Sequence, residues 1–217
     1  MLNIQPIKLL AGAHEDTFQT GQGCFMNVAA YLNGDLKMSD KSPCVSPIIR
    51  NVAIFLNDML NDEDRQRLIP LIPRAMETGM NSDAQIAAER VKLFEVLFDL
   101  WHGTIQPALK ENNVGRAGSR QKGFTESGTA FLKGQEDAMY LMCRAEQALK
   151  EIKRVQWDIV ANEEMPDGQY EEFTYKAIKP LTDVLYKYLC DVLPENPIPT
   201  EAVVSRAKTL VELAEHG

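Results

Sequence analysis

The sequence predicts an all-α protein, with six to eight helices in an irregular bundle or in two helical halves. Apolar residues recur mostly three and four positions apart, which is the spacing of one helix face. No run rich in Val, Ile or Thr alternates strictly between turn residues, so we expect little β-sheet. Proline and glycine separate the periodic segments, and capping residues precede several of them.

The first helices are indicated by turn and capping residues. We expect residues 1–20 to be irregular, because a proline and a glycine interrupt any pattern there. A helix is expected over about 23–32, ended by the turn residues at 33–35. Ser46 can cap the next helix, and Pro47 suits its first turn.

The following segments combine a broad apolar stripe with two prolines. The stripe covers residues 48–60, and Asn61 or Asp62 then begins a helix whose acidic start complements the helix dipole. Pro70 and Pro73 should break or kink this helix, because proline lacks an amide hydrogen.

A long helix is expected next. Ser82 and Gln85 match a capping box, and apolar residues continue at helical spacing to Ile105. We expect a kink near Pro107 and fraying at residues 112–113.

The C-terminal part is also expected to consist of helices separated by turns. Helices are expected over residues 138–159 and 173–189, with a turn at 166–168 between them and a bend at Pro180. A proline-rich connector then leads to a final helix over 200–214.

A glycine-rich basic stretch divides the chain. We expect an N-terminal helical region at 1–114, a loop at 115–134 and a C-terminal helical region at 135–217, or one bundle with a long internal loop. The loop holds five of the 13 glycines and has a local charge of +3. Its charged residues are Arg116, Arg120, Lys122 and Lys133 against Glu126.

Composition excludes several functional classes. The 217 residues have a net charge of −8, which disfavours generic binding to the phosphates of duplex nucleic acid. No apolar run is long enough to span a membrane, and the first ten residues do not resemble a signal peptide. The four cysteines are widely spaced and are expected to be reduced. We therefore expect the protein to be located in the cytoplasm of a bacterium or of a phage-infected host.

Soft ligands near the N-terminus allow a metal hypothesis. His14, Cys24, Asp40 and Cys44 could converge on a zinc ion, although their spacing fits no standard motif. Cys24 with His14 could form a nucleophilic pair, and a helix start could lower the pKa of Cys44. Buried packing cysteines are the simpler interpretation.

An acidic cluster lies between two of the expected helices. Its carboxylates, at Asp58 and at residues 62–64, could hold Mg²⁺ or Ca²⁺. The EF-hand pattern is absent, and we favour a solvated helix junction with capping residues.

The N-terminal part contains Gly23-Cys24-Phe25-Met26-Asn27, followed by Ser39-Asp40, Cys44, Leu56-Asn57-Asp58 and Asp64-Arg65-Gln66-Arg67-Leu68. With these motifs, residues 12–80 resemble a widespread group of uncharacterised bacterial and bacteriophage proteins. The group has a Gly-x-Cys-x-Met-(Asn or Glu) opening, a Ser-Asp-His-Pro-x-Cys turn, and a Leu-Asn-Asp followed by Asp-Arg-Gln-Arg-Leu. Lys41 and Ser42 stand where the group usually has His-Pro. The resemblance implies a bacterial or phage origin and no specific activity. The segments that match are 23–32, 39–40, 43–47, 55–58 and 62–68.

Two functional hypotheses follow. The first is a non-enzymatic accessory factor that binds a protein partner through an exposed stripe of an amphipathic helix. The second is a binder or enzyme of a nucleotide or other phosphorylated molecule, held by the basic segment at Arg116, Arg120, Lys122 and Lys133. We favour the first, expect no cofactor and no membrane, and leave nucleic-acid binding and homo-oligomer formation open.

Overall fold

The computed structural model describes residues 7–12, 22–35, 39–161 and 169–195, and most of them are helical. The predicted all-α class is confirmed. The helices are α1 (Phe25–Asn33), α2 (Pro47–Met59), α3 (Asp62–Arg65), α4 (Ile72–Met76), α5 (Asp83–Leu100), α6 (Gln106–Glu111), α7 (Ala117–Leu132), α8 (Ala138–Ala161) and α9 (Gln169–Val192). Short 3₁₀ turns at Gln66–Leu71 and Glu77–Met80 flank α4.

The capping residues act as the sequence predicts. The hydroxyl of Ser46 accepts a hydrogen bond from the amide three residues later at 3.3 Å, and the Asn61 side chain does the same at 2.8 Å. Ser82 and Gln85 form the reciprocal bonds of a capping box. Gly34 ends α1 with a φ of 80°, a conformation that favours glycine.

The first strand of a short pair lies in the segment 1–20, which was expected to be irregular. β1 (Lys8–Leu9) and β2 (Gln22–Gly23) pair in parallel, with Leu9 opposite Gly23. The Gln66 side chain also bonds both backbone groups of Leu9, its oxygen accepting at 2.9 Å and its nitrogen donating at 3.0 Å. The expectation of irregular structure is wrong at Lys8 and Leu9, because their pairing partners are distant in sequence.

The described residues pack into two compact units. Residues up to Ile86, together with those from Leu189 onward, form unit 1, and Ala87–Tyr188 form unit 2. The division therefore falls within α5 and α9, whereas we expected it at residues 115–134.

In unit 1, an arginine connects α4 to the last turn of α9. The guanidinium of Arg74 donates to the carbonyls of Cys190, Leu193 and Pro194 at 2.7–3.1 Å. A positive side chain at these carbonyls complements the negative end of the helix dipole. This contact explains why the end of α9 belongs to unit 1.

Residues 115–134 do not form a loop. Ala117–Leu132 is the helix α7, so the predicted loop is wrong. Phe124 and Phe131, seven residues apart, are fully buried, and Phe124 stacks on Trp101 with ring centroids 4.2 Å apart. Burial of these rings stabilises the helix against the low helix propensity of its glycines, which is about 1 kcal/mol each.

The long helix at α5 changes its winding where a kink was expected. A π-helical turn at Trp101–Ile105 joins α5 to α6, and the amide of Gln106 bonds the carbonyl of Trp101. Pro107 follows directly and has no amide hydrogen to donate. Helix α9 continues through Pro180.

Some expectations lie outside the described residues, namely the turn at 166–168 and the helix at 200–214. Among the described residues, no helix is both long and apolar enough to cross a membrane.

Candidate functional site

Cys24 caps α1 and carries a buried thiol. Its sulfur donates to the Asn27 side chain at 2.9 Å and accepts from the Asn27 amide at 3.4 Å, and a carboxylate oxygen of Asp40 lies 3.6 Å away. Burial raises the pKa of Cys24 to about 11, with the Asp40 charge adding to the effect. Because only the thiolate is nucleophilic, Cys24 is poorly suited to covalent chemistry near neutral pH.

Cys44 has a different set of partners. Ser42 donates to the Cys44 sulfur at 3.0 Å and lies 2.5 Å from an oxygen of Asp35. Burial raises the pKa of Cys44, and the Asp35 charge raises it further. The expected lowering of this pKa at a helix start is therefore wrong, because burial disfavours the charged thiolate.

The predicted metal set is not assembled within the described residues. His14 lies outside them, and Cys24, Asp40 and Cys44 belong to the two separate hydrogen-bond networks above. Over the ranges that the structure describes, no group of three or more His, Cys, Asp or Glu side chains is arranged to hold a metal ion.

Within unit 1, Asn57 and Asp58 of the Leu-Asn-Asp motif hydrogen-bond to backbone groups of distant segments. The Asn57 side chain accepts from the Phe25 amide at 3.1 Å and donates to the Leu10 carbonyl at 2.8 Å. Asp58 accepts from the Gly12 amide at 2.9 Å. A cavity of about 40 Å³ lies among them, which is room for one or two water molecules. It is lined by Gly12, Cys24, Phe25, Asp40, Ile54, Asn57 and Asp58.

The acidic cluster after α2 forms a helix junction. The side chain of Arg65, which is only 5% exposed, donates to the carbonyls of Asn57 and Leu60 at 2.5 Å and pairs with Asp62. Asp64 lies 3.4 Å from Arg67 in a second pair. Asp62 and Asp64 therefore have cationic partners from their own segment.

The basic segment is partly neutralised and widely spread. Arg120 pairs with Glu151, and Lys122 lies 3.7 Å from Glu126. Arg116 and Lys133 flank the two ends of α7, about 25 Å apart at the rise of an α-helix. The four side chains therefore cannot converge on one phosphate group.

Helix α5 has apolar residues on two sides. Leu93, Leu97 and the following Trp101 are buried in unit 2. Val91 and Phe98, on another side, are 46% and 43% exposed. We call this side the α5 surface. It consists of the exposed residues Val91, Glu95, Phe98 and Asp99 and the half-buried Phe94.

The α5 surface contains a depression between aromatic and acidic side chains. Phe94, Glu95, Phe98 and Asp99 line a volume of about 380 Å³. The Phe94 and Phe98 ring centroids are 5.7 Å apart, and the His102 ring lies 4.1 Å from that of Phe98. In the part of the chain that the structure describes, neither Glu95 nor Asp99 has an ion-pair partner.

The sequence predicts a long helix from the apolar residues up to Ile105 and does not separate Phe94 and Phe98 from Leu97 and Trp101. The available signal was the width of the apolar stripe. Phe94 and Phe98 each follow a leucine by one position, at Leu93 and Leu97, and Val91 precedes Leu93 by two. A helix that packs on one side needs only one such row. The second row therefore could have indicated the α5 surface.

Comparison with protein-family models, curated proteins and solved structures finds no match for this chain.

Proposed function

We propose that this chain is a non-enzymatic protein that binds a protein partner through the α5 surface. The supporting observation is the exposure of two large apolar side chains beside a depression on one helix face. Grouped exposed apolar residues that are flanked by charges are typical of interaction surfaces.

The size of this surface suits an anchor within a larger interface. Covering the exposed parts of Val91 and Phe98 would remove roughly 150 Å² of apolar surface from water, which is worth about 4 kcal/mol. Stable interfaces bury about 800 Å² on each partner, so additional contacts around the α5 surface are required. An aromatic residue at the centre of such a patch is a usual hot spot.

We place this activity in the cytoplasm of a bacterium or a phage-infected cell, as an accessory factor. The resemblance of residues 12–80 supports the origin, and the free thiols of all four cysteines are consistent with a reducing compartment.

Site-specific photocrosslinking tests the proposal. A photoreactive amino acid replaces Phe98 in the full chain, and the control replaces Tyr140, an exposed aromatic residue outside the α5 surface. We expect a defined protein adduct from position 98 that is lost when Val91→Asp is added, and no such adduct from position 140. Absence of an adduct at position 98, or the same adducts from both positions, would contradict the proposal.

A further inference from the structure

Among the residues that the structure describes, neither carboxylate of the α5 surface has an ion-pair partner. Glu95 and Asp99 are exposed and lie one helical turn apart. Like charges at this spacing destabilise a helix by a few tenths of a kcal/mol. A cation placed between them would relieve this repulsion.

The cationic side chains of the same helix are engaged elsewhere. Arg90 donates to the Phe131 carbonyl at 2.7 Å, and its guanidinium carbon lies 5.2 Å from the centre of the Phe131 ring. Lys92 has an interaction partner as well. The charge that Glu95 and Asp99 can accept must therefore come from outside α5.

Aromatic rings adjoin these carboxylates. Phe98 exposes 43% of its surface beside Glu95 and Asp99, and Phe94 lies next to it. The face of a phenyl ring attracts cations, and desolvation strengthens this attraction. A planar guanidinium can stack on the ring and bond a carboxylate with two N–H groups, which an ammonium cannot do.

We infer that the α5 surface binds a basic segment of a protein partner, with an arginine side chain stacked on Phe98 and paired with Glu95 and Asp99. This inference rests on the proposed function and specifies the chemistry of the partner. The net charge of −8 acts in the same direction, since it attracts a basic partner at long range.

Selection from a displayed library of random dodecapeptides tests the inference without a known partner. The full chain is the target, and peptides that fail to bind Phe98→Ala are retained as ligands of the α5 surface. We expect arginine to be enriched in these peptides. The double variant Glu95→Gln/Asp99→Asn should bind them about tenfold more weakly, as measured by fluorescence anisotropy.

A matched control separates local recognition from overall charge. Glu111→Gln/Glu126→Gln changes the net charge by the same amount at exposed positions of unit 2 outside the α5 surface. It should weaken the same peptides less than twofold. Equal weakening by both double variants would overturn the inference.

The remaining outcomes distinguish this inference from the proposed function. Peptides that require Phe98 but show no enrichment of arginine would overturn the inference and leave the proposed function standing. Sedimentation shows whether the chain self-associates and whether Phe98→Ala abolishes this association. If both hold, the occupant is a second copy of the chain, and the inference is overturned. If no selected peptide requires Phe98, both are overturned.

Discussion

Replacement of Arg65 by methionine should strongly destabilise unit 1. Methionine preserves most of the apolar volume of the arginine stem but removes the guanidinium. The carbonyls of Asn57 and Leu60, at the C-terminal end of α2, then lose a buried charged donor. The bond to Asp62 adds little, because the Asp62 side chain is 82% exposed.

The expected loss is about 3–5 kcal/mol of unfolding free energy. A hydrogen bond to a charged group contributes about 1.5–3 kcal/mol, and two such bonds to buried carbonyls are lost. At this chain length the melting temperature should fall by roughly 10 °C. Urea denaturation and thermal melting, both followed by far-ultraviolet circular dichroism, measure the two quantities.

Arg67→Met provides the matched control. Arg67 is 55% exposed, and its pair with Asp64 spans 3.4 Å, so its loss should cost less than about 0.5 kcal/mol. A loss below 1 kcal/mol for Arg65→Met, or equal losses for the two variants, would refute the structural role assigned to Arg65. Such a result would also reopen a functional role for the Asp-Arg-Gln-Arg-Leu segment.

Three further predictions concern other parts of the chain. Gly128→Ala should destabilise unit 2 by about 1–3 kcal/mol in urea denaturation, because the added methyl overlaps the ring of Phe94, whereas Gly118→Ala, with nothing near its β-carbon, should be neutral or stabilising by up to about 1 kcal/mol. The alkylation rate of Cys24 by iodoacetamide, followed by peptide mass spectrometry, should keep rising with pH up to about 11; a plateau below pH 9 would contradict the raised pKa. Tyr188→Phe should cost about 1–3 kcal/mol in thermal melting, because the hydroxyl donates to the buried carbonyl of Glu89 at 2.9 Å, and an unchanged melting temperature would refute this.

The residues of the resemblance have structural roles in this chain. Cys24 caps a helix, Asn57 ties two backbone segments together, and Arg65 satisfies the end of α2. Ser42 makes side-chain hydrogen bonds that proline could not make at this position. We therefore locate the proposed function on the α5 surface rather than in this motif.

Local signals in the sequence were sufficient for the helices and many of their ends. The helical spacing of apolar residues predicted the all-α class, and Ser46, Asn61 and the Ser82 capping box predicted three helix starts. These features depend on residues within one or two turns of each other, so a single sequence contains the relevant information. The interpretation of the acidic cluster as a helix junction also depended only on neighbouring capping residues.

The candidate site could not be predicted, because burial is a property of the tertiary structure. Phe94, Leu97 and Phe98 are all apolar at helical spacing, and only the packing of unit 2 decides that Leu97 is buried while Phe98 is exposed. The basic stretch was misjudged for the same reason, since the burial of Phe124 and Phe131 makes it helical despite its glycines.

By itself, the sequence determined the class of the fold, the positions of the main helices and the acidic charge of the chain. The tertiary structure alone decided which apolar residues remain in contact with water and which charges remain without a partner. The physical reason is that hydrogen bonds along a helix join near neighbours, whereas burial and tertiary contacts involve residues that are far apart in the chain. The hydrogen bond from the Tyr188 hydroxyl to the Glu89 carbonyl, for example, joins residues 99 positions apart.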